Sequence, residues 1–471
     1  MNSKKVSLRK QSPKFYVVPK RRNVRVKEHT SPYTPTHALP RQLTCIDLFA
    51  GCGGLSLGLE LAGFRPLLFS EINFSAAETY IANRLDRDIV PIGDVYQLTN
   101  SNLELLKLQW RYKGIDEVDL VCGGPPCQGY SGIGHRRTFN LAKQDIPSNH
   151  LYQEMARIIR SIKPRMFLFE NVRGLLNSRW SPTSLKGEVF KDVLAEFKSI
   201  PDYSVRWELV HAKDYGVPQN RPRVLLVGVR HDLLGLRRQL TLMEPSEIFD
   251  PPSAVLAGFL PAPSGSPPNL VELLSDLVDP NYLQKSGTDK YQTNPTNAIQ
   301  SMLRTRPDGT IMRKGDALTE HEYSKHADYI REKFTHMITN DGAIPKKFKT
   351  KKFAQRVLPS SWQSDGPNIT ACSLPEDYVH YSQPRGPTVR EWARIQTFPD
   401  WYLFKGPRTT GGRRRAGDPS IGVWDRQVPR YTQIGNAVPV LLAQKIGQHF
   451  AELLCGIRNF NEKLRRPAEQ K

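Results

Sequence analysis

Between residues 43 and 229, short apolar runs alternate with stretches of helical spacing, and this rhythm constrains the fold more than any other feature of the chain. The runs are Leu43–Phe49, Pro66–Ser70, a short one ending near Gly93–Val95, Val118–Cys122, Met166–Val172, Val205–Leu209 and Arg223–Val229. Between them, Leu55–Phe64, Ala76–Arg84, Leu151–Ile162 and Lys186–Ile200 place apolar residues at helical intervals. A strand covered on both faces reads as an uninterrupted apolar run. The alternation therefore predicts an α/β chain on a parallel, doubly wound sheet. After Arg230 the rhythm stops. Residues 251–268 read as a linker, residues 269–385 are polar, irregular and basic, and helical spacing returns at Val438–Leu454. The expected organisation is a basic arm over 1–42, a first domain over 43–230 and a second, variable domain over 231–430. A helical segment over 431–457 rejoins the first domain, and a basic tail covers 458–471.

The formal net charge is +21, which points to a polyanionic partner, nucleic acid above all. The charge gathers in residues 4–27, in Lys346–Lys352 and in Arg408–Arg415, outside the apolar runs, as phosphate-contacting arms and loops would be. No apolar run is long enough to span a membrane, and the N-terminus has no signal-peptide core. The six cysteines form no C-x-x-C pair and no zinc spacing, so a metal is not expected. They read as reduced, intracellular thiols, which leaves room for a catalytic one. The expected location is the cytoplasm.

Several strand ends carry chemistry. The first run opens into a glycine loop, FAGCGG (Phe49–Gly54), which lets the backbone approach a ligand at a helix N-terminus. Glu71 closes the second run, where it suits a pair of ribose hydroxyls, and Asp94 closes the third, where it suits an adenine amine. Together they favour an adenosyl ligand. The fourth run leaves through GGPPCQGYS (Gly123–Ser131), whose prolines restrict the approach to Cys127, and the glycines after it (Gly129, Gly132 and Gly134) leave the following loop free to close. The fifth ends in Phe169-Glu170-Asn171-Val172, where Glu170 would project into the crevice these strand ends form, and QNRPR (Gln219–Arg223) leads into the last run.

FAGCGG, GGPPCQGYS, FENV, QNRPR and YTQIGNAVP occur together and in the order seen in one family. The set resembles the DNA (cytosine-5) methyltransferases, in their prokaryotic, restriction–modification form, over roughly residues 43–230 and 385–457. The resemblance implies a Rossmann-like, doubly wound mixed sheet that binds S-adenosylmethionine, with a smaller, irregular target-recognition domain. It implies Cys127 as nucleophile, Glu170 at cytosine N3, Arg223 at cytosine O2 and Arg221 in support. It maps Phe49, Gly51, Gly53, Leu55, Glu71, Asp94, Pro126 and Asn436 onto the cofactor pocket. TVREWARIQTFPD (Thr388–Asp400) resembles the motif that orders the variable region. Tyr130 stands where the family commonly has Phe.

The implied chemistry explains these residue types. Cytosine C5 is too weak a nucleophile to take a methyl group until a thiolate adds to C6. The target base must also leave the duplex. Arg136, Arg137, Lys346, Lys347, Arg413, Arg414 and Arg415 are the expected contacts to double-stranded DNA. A monomer is expected, with a cognate restriction endonuclease as the potential partner. The alternatives are an RNA (tRNA) cytosine-5 methyltransferase of the same fold, a non-catalytic DNA-binding relative, and, from the glycine loop alone, a nicotinamide oxidoreductase.

Overall fold

The computed structural model describes residues 42–85, 87–126, 147–181, 183–234, 253–349, 355–360, 366–370, 377–409 and 427–465. Seven strands form one sheet: β1 (Leu43–Leu48), β2 (Phe64–Ser70), β3 (Val90–Ile92), β4 (Leu120–Gly123), β5 (Met166–Val172), β6 (Tyr203–His211) and β7 (Pro222–Arg230). Their order is β3-β2-β1-β4-β5-β7-β6. The pairings from β3 through β5 are parallel, whereas β7 runs antiparallel to both β5 and β6. The sheet is thus mixed, and the parallel arrangement predicted from the rhythm fails at its last strand. The reason lies in the connection. Only residues 212–221 join β6 to β7, and a parallel return needs a crossover of about a dozen or more residues, usually through a helix.

Helices cover both faces. On one side α1 (Gly54–Leu61) and the long C-terminal helix pack on Cys45, Cys122, Leu168 and Val227. On the other, α3 (Asn100–Tyr112), α4 (Leu151–Ile162) and α5 (Glu188–Lys198) pack on Ile46, Val121, Phe167 and Leu226. Residues 45 and 46 of β1 face opposite cores, as the strand period requires. The return of the C-terminal helix to the sheet depends on Gly58 of α1. A Cβ there would stand 2.5 Å from the Val440 carbonyl oxygen. Helix α3 escapes the sequence pattern because it is apolar on two sides. Leu103, Leu106 and Trp110 are buried, while Leu105, Leu108 and Tyr112 are exposed.

Between β7 and the C-terminal helix lie short helices. Among the described residues they include, after the single turn His231–Leu234, α6 (Leu270–Leu274), α7 (Ala298–Arg304), α8 (Asp328–Thr339), α9 (Val389–Ile395) and α10 (Arg430–Asn436); the C-terminal helix is α11 (Val440–Arg465). A two-stranded parallel ladder, Arg356–Val357 with Tyr378–Val379, accompanies them. One apolar cluster joins Leu270, Leu303 and Trp392 to Cys52 and Leu57 of the first strand–loop–helix unit. Helix α9 pins this region. Thr388 and Glu391 form its capping box, and Arg394 sits fully buried between Asp276 and Asp400, 2.6 Å from each. Removing one partner from such a buried pair costs about 3–5 kcal/mol.

Candidate active site

The carboxyl ends of β1 to β5 lie along one edge of the sheet, on both sides of the point between β1 and β4 where the strand order reverses. Open α/β sheets bind ligands at that crevice. Because β7 is antiparallel, its beginning lies at the same edge. Arg223 pairs in register with Val172, two residues beyond Glu170, so Glu170 and Arg223 are diagonal neighbours on one face. Arg223 Nε meets Glu170 Oε1 at 2.5 Å, and both side chains are largely buried.

The exit of β4 is bound to this pair. Asn171 Nδ2 donates to the Pro125 carbonyl at 3.2 Å, and a Cβ at Gly124 would stand 2.7 Å from Glu170 Oε2. Gly124 is therefore the residue that lets the chain pass the carboxylate. The stretch ends at the exposed Pro126. Cys127, Arg136, Arg137, Arg413, Arg414 and Arg415 lie outside the described residues.

Arg221 and Arg223 are separated by one residue but differ in surroundings. The guanidinium of Arg221 is buried and donates to the main-chain carbonyls of Ile369, Gly435 (2.8 Å) and Asn436 (3.3 Å). Burial, and then the neighbouring Arg223, push its pKa well below the usual arginine range. Gln219 works beside it, donating to Gln396 Oε1 at 2.7 Å and to the Ile395 carbonyl at 3.1 Å. The QNRPR segment thus ties the sheet edge to α9 and α10. Asn436 itself has an exposed side chain.

The glycine loop stands at the end of β1. Phe49, Gly51 and Gly53 all have positive φ, at 58°, 56° and 85°. Phe49 N–H donates to Ser70 Oγ (3.1 Å) and Gly51 N–H to Glu71 Oε2 (2.9 Å). The other oxygen of Glu71 accepts from Asn73 N–H at 2.7 Å, and burial raises the carboxyl pKa. Asp94 accepts from Tyr96 N–H at 3.1 Å and caps the single turn Val95–Gln97. Leu55 is buried in the core beneath α1. Just after Glu71, Ile72 is 75% exposed and Phe74 59% exposed, an apolar rim absent from the sequence reading. Its one sequence signal was apolar residues directly after the acid that closes β2.

Beneath the loop, Asp47 is buried and accepts from Ser56 Oγ at 2.6 Å. Burial pushes its carboxyl up to about 7, against the Ser56 hydrogen bond and Arg84. From about pH 4 to 7 the folded protein keeps a proton that the unfolded chain has lost. Stability contributed at this site is therefore present at low pH and lost as pH rises through that window, by on the order of 1.4 kcal/mol per pH unit. Asp47→Asn is expected to remove this component and to be the more stable protein above pH 7. Urea unfolding of both proteins at pH 5 and pH 8 checks it, and an equal pH response in the two would refute it.

Lys346 and Lys347 are exposed on a single turn, Lys346–Phe348, far along the chain from Glu170 and Arg223. Lys347 pairs with Glu332 at 2.7 Å, and Phe348 stacks on the exposed Tyr329. Among the described residues no group of His, Cys, Asp or Glu is placed to hold a metal, and no helix is long and apolar enough to cross a membrane.

The family whose model matches this chain is described as C-5 cytosine-specific DNA methylase, and the match spans residues 43–452. The Type II methyltransferase M.DdeI of Desulfomicrobium norvegicum is 29% identical over 428 residues, 89% of this chain and 91% of that protein. The Type II methyltransferase M.PspPI of a Psychrobacter species is 31% identical over 421 residues, 88% of this chain and 80% of that protein. Among solved structures, a prophage-encoded E. coli chain described as a DNA modification methyltransferase superposes with a TM-score of 0.59. That match has 22% identity and covers 88% of this chain and 99% of the other, a likeness of fold.

Proposed function

The chain belongs to the C-5 cytosine-specific DNA methylase family and methylates cytosine at C5 in DNA; from that premise we propose the cofactor, the residue roles and the biological setting. The methyl donor is S-adenosylmethionine. The observation supporting it is the donor set at one sheet edge. A positive-φ glycine loop, the carboxylates of Glu71 and Asp94 on adjacent strand ends, and the apolar Ile72 and Phe74 just after Glu71 fit a nucleoside with a ribose diol and a flat base. A Cβ at Gly51 would meet nothing within 4 Å, so the backbone there is open to a ligand. When bound, the cofactor supplies an electrophilic methyl group on a sulfonium.

Cys127 adds as thiolate to C6 of the flipped cytosine and makes C5 nucleophilic. Glu170 bonds or protonates N3 and drains charge from the ring, and Arg223, held by Glu170, bonds O2. Once C5 carries the methyl group, loss of its proton and departure of the Cys127 sulfur restore the aromatic ring. Arg221 holds α10 and the segment at Ile369 against the site. Phe49, Gly51, Gly53, Leu55, Pro126 and Asn436 complete the cofactor pocket. Residues 231–430 act as the target-recognition region and 43–230 as the catalytic one, with α11 rejoining it.

The relatives' names favour a restriction–modification setting, in which a cognate endonuclease cuts unmethylated sites. In that reading the enzyme is cytoplasmic and acts on double-stranded DNA as a monomer, and the arm over 1–42 and the arginines at 136, 137 and 413–415 follow the backbone. Bisulfite sequencing of a plasmid from a host without cytosine methylation, expressing this protein or Cys127→Ala, tests the function. Protected cytosines confined to one short context and lost in the variant are expected. Absence of protection from the soluble parent protein would overturn it.

Lys346 and Lys347 are proposed phosphate contacts. Each such contact adds about 0.9 to the slope of log affinity against log salt. Replacing both with alanine is expected to lower that slope by about 1.8. Fluorescence anisotropy of a labelled duplex over a salt series reads it, and an unchanged slope would remove the turn from the interface.

A further inference from the structure

The glycine loop is gripped by two side chains that the roles above leave unused. Arg84, just beyond α2 (Phe74–Ala82), is 5% exposed. Its guanidinium lies 3.9 Å over the ring of Tyr80 and is paired with Glu60 at 2.5 Å. One terminal nitrogen donates to Tyr402 Oη at 3.0 Å, and the other to the Gly53 carbonyl at 3.3 Å. Tyr402 Oη in turn donates to the Cys52 carbonyl at 2.6 Å. Carbonyls of two consecutive loop residues are thus held by one pair of side chains. The peptide unit is planar and trans, so fixing these carbonyls also fixes the opposed N–H groups of Gly53 and Gly54. The fit leaves no room for a side chain. A Cβ at Gly53 would stand 2.8 Å from Tyr80, 2.9 Å from Tyr402 and 3.0 Å from Arg84, at a φ that already favours glycine.

Tyr402 arrives from the far end of the variable region, and the same helix holds the chain that follows it. Asn83 donates to the Leu403 carbonyl and accepts from Leu403 N–H, both at 2.9 Å. Thr79 Oγ1 accepts from Lys405 N–H at 2.8 Å. Residues 402–405 therefore lie along α2, the helix that begins three residues after Glu71.

We propose that Arg84 and Tyr402 are positioning residues for the cofactor loop, through which the strap at 402–405 sets affinity for S-adenosylmethionine. This rests on the cofactor reading given above. Tyr402→Phe keeps the ring and removes only the hydroxyl shared by Arg84 and the Cys52 carbonyl. Loss of these bonds is expected to weaken S-adenosylhomocysteine binding about tenfold by calorimetry. KM for the cofactor should rise in step, while kcat and affinity for duplex DNA without cofactor stay at the parent values. Asn83→Ala, which frees the strap but leaves the hydroxyl, should weaken cofactor binding by a smaller factor and supplies the reading if Tyr402→Phe does not fold. Arg87→Ala is the control, since Arg87 pairs with the same Glu60 at 2.5 Å and is largely exposed. If the parent protein binds no S-adenosylhomocysteine, the cofactor reading fails and takes this inference with it. If the parent binds and folded Tyr402→Phe binds equally well, only the positioning role is overturned.

Discussion

Cys127→Ala is expected to lower kcat by about 10⁴- to 10⁶-fold, the scale on which covalent nucleophiles act. The cofactor should bind the variant as it binds the parent, because in the reading proposed above it is held by the glycine loop and Glu71, whose described bonds run to Ser70, Gly51 and Asn73. The physical case starts from the aromatic ring. Without a sulfur on C6, C5 has no enamine character and cannot attack an alkyl sulfonium at a useful rate. A free thiol, with pKa about 8.5, is mostly protonated at neutral pH, so the site has to favour the thiolate. The chain leading to that position is fixed as far as Pro126. The Pro125 carbonyl is held by Asn171, and Gly124 passes directly beside Glu170. Single-turnover methylation of a duplex, with calorimetry for the cofactor, measures both halves of the prediction. A variant that still transfers methyl groups at a substantial rate would mean that another residue starts the reaction.

Glu170→Gln should cost about 10²- to 10⁴-fold in kcat, the usual contribution of a positioned acid or base. The amide keeps the shape and can still accept from Arg223, but it cannot hand a proton to the ring. Glu170→Ala is expected to do more. It leaves Arg223 without its carboxylate at a site where the two side chains are 9% and 12% exposed. Removal of one partner from a buried pair costs about 3–5 kcal/mol of stability, and this rim position belongs at the lower end. Comparing kcat and thermal unfolding across the two variants separates chemistry from support. A Gln variant with the parent's rate would reduce Glu170 to a brace for Arg223.

How legible was this in the sequence? The elements over residues 43–230 were, because each buried strand is a local apolar run and most helices show one apolar face. Met166–Val172 and Leu151–Ile162 match their sequence readings residue for residue. Helix α3 was not legible, since its second apolar stripe faces solvent and blurs the period. The short helices beyond residue 269 were missed for a different reason. Most run to seven residues or fewer, too brief for periodicity, and the 12-residue α8 buries only Phe334 and Met337; they are held by caps such as Asn269 with Glu272 and by buried ion pairs contributed from distant segments.

The same division holds at the site. The motif residues and their chemical types stand in the sequence, and so does the strand end on which each sits. Side-chain period and strand length are local properties, and the alternation between strand and helix leaves few sheets to choose from. What only the tertiary structure decided is which groups meet. The antiparallel entry of β7 places Arg223 diagonally across from Glu170. Arg221, two residues before it and just ahead of the strand, turns instead to the carbonyls of residues 369, 435 and 436. Tyr402 reaches the glycine loop from 350 residues away along the chain. Such pairings depend on how helices and strands pack against one another. Packing is a property of surfaces brought together by folding, and no local spacing encodes it.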